Sequence, residues 1–265
     1  MPFADLKTHK LFYKDFQPVS NNDSQLPLVF LHGFTLDHRM WEADAVYFSK
    51  WYRVILLDSK GHGLSDAPES GYSRADRVKD LVNFLNSLSI DKVHLIGLSM
   101  GGTTALGFAL EYPERLASLT LISTSAAGYD AGPKISKIDR IAREKGIEKA
   151  RDKWIKTTLL WYREDKKHIR NLLKNMMLEH SGAIWKDPMR GRYPRTYDLE
   201  HIHEIKTRTK ILVGEKDNIF LPLSKKIHQL IPNSELSIFE STGHILNLEA
   251  PDKFHSELKL FLEGA

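Results

Sequence analysis

Short apolar runs alternate along the chain with longer stretches of helical spacing. Leu28 to Leu31, Arg53 to Leu57, Val93 to Ile96, Leu116 to Ile122 and Thr209 to Val213 are mostly apolar and short, which predicts buried strands. Between them, Asp37 to Lys50 and Thr103 to Tyr112 have helical composition, and Val78, Leu81, Leu85 and Leu88 fall on one helical face. Strand and helix in regular alternation imply parallel strands joined by crossover helices. The expected fold class is therefore α/β, with a mostly parallel central sheet, flanking helices and ligands at the carboxyl ends of the strands. Thr8 to Phe16 alternates loosely and predicts one or two antiparallel strands at the sheet edge.

The alternation stops at Gly128. Residues 128–198 carry Gly128, Gly132 and Pro133 at one end and Pro188, Gly191 and Pro194 at the other, with helical runs at Ile147 to Tyr162 and Lys166 to Glu179. This segment reads as a helical cap inserted into a core domain of residues 1–127 and 199–265. Helical spacing makes ordinary packing the role of most of its aromatic and methionine residues, while Trp161 and Met176 are candidates to line a substrate pocket. The α/β pattern then resumes with a helix at Leu223 to Leu230 and a strand at Ser237 to Glu240. A last helix opens at Pro251 and buries Phe254, Leu258 and Phe261.

Charge sharpens the division. The formal net charge is +4, but residues 128–198 hold 18 Lys and Arg against 10 Asp and Glu, and the remainder 20 against 24. The signs alternate along the helical runs, as on a solvated face, and no nucleic-acid motif accompanies them. A length of 265 residues supports one large core with an insertion rather than two full domains. The absence of cysteine excludes disulfides and thiolate metal sites. With no signal-peptide core at Met1 to Lys10 and no apolar run long enough for a bilayer, the expectation is a cytoplasmic protein without membrane or nucleic-acid partners.

Gly97-Leu98-Ser99-Met100-Gly101 stands between a predicted strand and a predicted helix. A serine on so sharp a turn needs small neighbours two positions to either side, which Gly97 and Gly101 supply, and the helix behind it offers free N–H groups to developing negative charge. A glycine-containing helix start with a serine cap would look the same over five residues, so context decides. Asp217 and His244 each follow a predicted strand, after Gly214-Glu215-Lys216 and Ser241-Thr242-Gly243. A serine nucleophile needs a base for its proton and a carboxylate to fix the tautomer of that base. Glu215 is a nearby alternative acid; the end of the Leu116 to Ile122 strand offers only Ser123, Thr124 and Ser125.

Ser99, Asp217 and His244 in this chain order, with His32-Gly33 and Asp58 to Ser65, resemble the α/β-hydrolase fold family. Lys60 stands where many relatives carry arginine. The resemblance implies an oxyanion hole built from the backbone N–H groups of Phe34 and Met100, and it implies that Ser99 is the nucleophile, His244 the general base and acid, and Asp217 its orienter. The Gly97 to Gly102 turn and the His244 to Pro251 ending are similar to those of serine carboxylesterases and enol-lactone hydrolases. Carbon–carbon bond hydrolases of ring-opened aromatics share the fold, but many carry tryptophan after the histidine where this chain has Ile245, itself a candidate pocket residue. A weakly catalytic ligand-binding protein is a third reading. The expected substrate is a small ester or lactone. No cofactor is expected, and no metal: His201 and His203 have no third ligand in view. The sequence leaves the oligomeric state open.

Overall fold

A computed structural model describes residues 2–19, 25–127, 134–158, 165–188 and 198–264. Its frame is an eight-stranded sheet in the order β1-β2-β4-β3-β5-β6-β7-β8. Strands β1 (Phe3–Asp5) and β2 (Lys10–Phe16) pair antiparallel at one edge, β2 against β4. The remaining strands are parallel: β3 (Leu28–Leu31), β4 (Val54–Leu57), β5 (Val93–Leu98), β6 (Leu116–Ile122), β7 (Thr209–Gly214) and β8 (Ser234–Phe239).

The apolar runs are strands covered on both faces, and successive residues enter opposite cores. Leu28, Phe30, Val54, Leu56, Ile96 and Leu98 join one core, with Ala45 and Phe48 of α1 (Glu42–Phe48). Val29, Leu31, Ile55, Leu57 and Leu95 join the other, with Val78 and Leu81 of α2 (Arg74–Ser87) and Ala105 and Phe108 of α3 (Met100–Glu111). Each fully buried Leu, Val or Phe contributes about 1.5–3 kcal/mol relative to exposure, which fixes the register. The helix expected at Asp37 to Lys50 is divided: a 3-10 turn over His38–Trp41, capped by Asp37, precedes α1.

Four described helices follow β6 ahead of Asp198: α4 (Lys134–Lys145), α5 (Ile147–Thr158), α6 (Lys167–Glu179) and α7 (Ala183–Lys186). The first of them went unpredicted because glycine and proline dominate the segment's start, yet Ile138 and Ala142 are spaced to bury on one face. Trp154, Leu173, Met176 and Met177 extend the first core, so these helices are fused to the sheet domain by packing. Polar contacts add to this: Trp154 Nε1 donates to Thr35 Oγ1 (2.8 Å), Ser181 Oγ to the Gly61 carbonyl (2.7 Å), and Tyr72 N to Asp187 Oδ2 (2.9 Å). Buried Arg74 pairs with Asp198, the first residue of α8 (Asp198–His201), whose carboxylate also accepts from Ala127 N (3.4 Å). The chain thus leaves β6 and returns toward β7 through one ion-paired crossing.

Beyond β7, α9 (Phe220–Leu230), α10 (Leu246–Glu249) and α11 (Pro251–Glu263) complete the layers. Strand β8 begins at Ser234, ahead of the expected Ser237, because it lies at the edge; Ser234 and Glu235 pair with Thr209 and Lys210 without needing apolar side chains. Lys60, in arginine's place, is buried with Nζ 3.0 Å from Asp80 Oδ2, and His9 approaches the other Asp80 oxygen at 3.4 Å. The shorter cation therefore has a partner.

Candidate active site

Ser99 joins β5 to α3 with φ +54° and ψ −109°, a conformation costly for any residue but glycine. Helix α3 begins at Met100, directly after the turn and earlier than the apolar spacing suggests. The flanking glycines are required by close approach. A Cβ on Gly97 would stand 2.5 Å from the Gly101 carbonyl oxygen, and one on Gly101 would collide with the backbone carbonyls of Leu31 and His32. That second contact draws the end of β3 against the turn. Gly33 faces the serine, since a Cβ there would sit 3.8 Å from Ser99 Cβ. The amide of Met100 lies in the first turn of α3, where N–H groups have no intrahelical acceptor. Phe34, the other expected donor, follows Gly33 in the same loop.

The Phe34 loop is packed among rings. Phe34 lies 5.2 Å edge-on to Trp154 and 6.0 Å from His62, and His62 lies 5.0 Å from His32 and 4.5 Å from His180. Burial pushes His32 and His62 below the ordinary imidazole range, for His62 with the neighbouring His180 and His32 acting in the same direction. Both rings are therefore neutral near pH 7. His32 Nδ1 donates to the Gly33 carbonyl (2.8 Å) while Nε2 accepts from Ser59 N (2.9 Å), so this histidine braces the loop rather than titrating in it.

Asp217 follows β7 and His244 follows β8, and their side chains meet: His244 Nδ1 lies 2.7 Å from Asp217 Oδ2. Burial alone would raise the Asp217 carboxyl, but the facing His244, then the nearby Ser123 hydroxyl and the Phe220 amide, 3.2 Å from Oδ1, outweigh it and hold the group below its usual range. An ionised Asp217 only accepts, so the proton sits on Nδ1 and leaves Nε2 as an acceptor. Ser123, at the tip of β6 between Ser99 and Asp217 in strand order, is close to the Asp217 carboxylate without a well-formed hydrogen bond to it. Glu215, the alternative acid, instead accepts from Ser241 N (2.9 Å). Among the described residues no hydrogen bond joins the Ser99 hydroxyl to His244; bonds of this kind often form only when substrate is bound.

Of the pocket candidates, Ile245 is fully buried beside His244, Met176 is buried on α6 in the first core, and Trp161 lies outside the described residues. The expected core and cap boundary at 127/128 adjoins residues outside the description, as does most of the stretch before 198. Asp37, His38 and Asp58 bring ligand-type atoms within 4.8 Å of one another. These groups are already engaged, Asp58 by His38 N (2.7 Å) and Leu64 N (3.0 Å) and Asp37 by Arg39 (2.6 Å), so the cluster is a loop brace. His201 pairs with Glu204 at 2.8 Å.

Two residues near the histidine have no sequence motif of the kind that marks Ser99. Phe220 is one. Glu249 is the other: it is buried, with Oε2 accepting from Gly243 N (2.8 Å) and Oε1 facing Ile245 N (3.4 Å), so one carboxylate holds the backbone on both sides of His244. A lone acid in the apolar stretch Ile245 to Ala250 was the available signal. Glu249→Gln turns an N–H donor toward an N–H donor, and is expected to lower turnover roughly tenfold and stability by about 1–3 kcal/mol. Steady-state kinetics with urea unfolding would check both, and wild-type values in each would remove Glu249 from the site.

The family model described as alpha/beta hydrolase fold matches residues 27–251. A Bacillus subtilis (strain 168) protein with the provisional name 2-succinyl-6-hydroxy-2,4-cyclohexadiene-1-carboxylate synthase is 30% identical over 248 residues, 89% of each chain. A 2-hydroxy-6-oxononadienedioate/2-hydroxy-6-oxononatrienedioate hydrolase of Escherichia coli (strain K12) is 30% identical over 233 residues, 80% of this chain and 76% of its own. A thermophilic esterase from Thermogutta terrifontis superposes with a TM-score of 0.84 at 25% identity, covering 97% of this chain and 94% of its own. Among the described residues no helix is long and apolar enough to cross a membrane.

Proposed function

We propose that this chain, which belongs to the α/β-hydrolase fold family, hydrolyses carboxylic esters, lactones included, through an acyl-enzyme on Ser99. The observation that carries the reading is the 2.7 Å His244–Asp217 contact at the same sheet edge as a serine held at φ +54°. His244 Nε2 takes the Ser99 proton as the oxygen attacks the substrate carbonyl. The amides of Phe34 and Met100 receive the developing oxyanion, each such donor contributing about a hundred- to thousandfold in rate. His244 then protonates the leaving alcohol, and a water activated by the same nitrogen frees the acid and restores Ser99. The reaction so written needs no cofactor. Helices α4 to α7, within the segment 128–198, serve as the cap, closing over the acyl group.

A second reading has its own support: the E. coli relative is named for dienedioate hydrolysis. The test is steady-state hydrolysis of p-nitrophenyl esters from acetate to decanoate, beside an enol-lactone and a ring-opened dienoate, with Ser99→Ala as control. Saturable ester or lactone turnover that Ser99→Ala abolishes is the expected result. Preference for the dienoate would replace ester cleavage with carbon–carbon bond cleavage, and stoichiometric labelling of Ser99 by an organophosphonate without turnover of any substrate would make the protein a binder.

A further inference from the structure

Phe220 touches both partners of the Asp217–His244 pair. Its backbone N–H donates to Asp217 Oδ1 at 3.2 Å, and its ring stacks on the His244 imidazole with centroids 5.0 Å apart and planes 30° apart. It is the first residue of α9 and is buried, so helix packing through Leu223 and Ile227 fixes both contacts. Aromatic rings carry negative charge on their faces, and a cation placed over one gains about 0.5–2 kcal/mol according to how far water is excluded. His244 becomes such a cation whenever it holds the Ser99 proton. The ring also shields one face of the 2.7 Å Nδ1–H bond from solvent and opposes rotation of the imidazole out of the Asp217 plane.

We infer that Phe220 is a positioning residue for His244: its ring holds the imidazole in line between Asp217 and Ser99 and stabilises the imidazolium formed during turnover, while its amide holds Asp217. The inference rests on the proposed role of His244, and its test has one arm that needs no turnover. Phe220→Leu preserves the amide and most of the apolar volume but removes the π face; Phe220→Tyr restores the face. On the ester the wild type hydrolyses, Phe220→Leu is expected to lower kcat about 3- to 30-fold with KM within about twofold of wild type, and Phe220→Tyr to recover most of the loss. In the proton NMR spectrum of the full chain, the downfield signal of the His244 Nδ1 proton should be sharp in wild type and Phe220→Tyr and broadened by solvent exchange in Phe220→Leu.

An unchanged kcat in Phe220→Leu, a Tyr variant as impaired as the Leu variant, or an Nδ1 signal equally sharp in all three would each overturn the inference. If the wild type hydrolyses nothing while the NMR contrast is present, the proposed activity fails and the positioning role stands. If ester turnover depends on Ser99 and Phe220→Leu is indistinguishable from wild type, only the positioning role fails.

Discussion

Ser99→Ala is expected to lower ester turnover on the order of 10⁴- to 10⁶-fold while leaving the thermal midpoint within a degree or two of wild type. The two halves of this prediction have separate causes. Activity falls because no other hydroxyl occupies the strained turn, and the amides of Phe34 and Met100 retain only the part of catalysis that donors supply without a nucleophile. Stability holds because the Ser99 hydroxyl makes no hydrogen bond among the described residues, so alanine strands no buried partner. Alanine meets the same backbone penalty at φ +54° that serine does. Asp217→Asn is expected to cost less, roughly 10⁴-fold, by presenting an amide donor to Nδ1 and so favouring the tautomer that cannot accept the serine proton. Kinetics on both variants, with calorimetry, decide the matter. Ester turnover at wild-type rate in Ser99→Ala would end the nucleophile assignment, and greater damage from Asp217→Asn would point to an unfolding effect.

Much of this arrangement is legible in the chain because it follows from local constraints. A parallel sheet covered on both faces needs strands apolar at every position, and Leu28 to Leu31 or Val54 to Leu57 could hardly read otherwise. Gly97 and Gly101 are visible because a backbone carbonyl occupies the space a Cβ would need. What escapes the sequence depends on loops meeting across the sheet. Asp80 becomes the partner of Lys60 only when α2 packs beside the loop after β4. Phe220 acquires its relation to His244 only when the loops after β7 and β8 close together, and it does not differ in kind from an ordinary helix-start residue; Glu249, the last residue of α10, is marked only as a lone acid and takes its role when that turn folds back on the Gly243 amide. The start of the edge strand β8, ahead of the expected Ser237, is hidden for a related reason, since hydrogen bonds to β7 rather than apolar burial define its first residues.

His94 is expected to cost the fold stability on acidification, beginning as pH falls through the ordinary imidazole range. It lies on β5, buried, with Nδ1 2.8 Å from Ser118 Oγ; burial, aided by the charge of Lys92, holds its imidazole down at about 4. In the unfolded chain the same group titrates near 6.5. Between these values the unfolded state binds the extra proton, so the contribution is fully present above about pH 6.5 and is lost as pH falls toward 4. A shift of this size corresponds to about 3 kcal/mol, a substantial part of a typical domain's stability. His32 and His62, depressed by burial as well, act with the same sign. Asp44 and Asp198 oppose them, because burial raises their carboxyls and the folded state then gains protons first. The sum over all groups is therefore mixed, and a difference measurement isolates His94. Urea unfolding of wild type and His94→Asn at pH 7 and pH 4.5 should show the wild type losing more stability on acidification, by about 2–3 kcal/mol, since the amide does not titrate. Equal losses in the two proteins would mean that His94 takes up its proton in the native state as readily as in the unfolded chain.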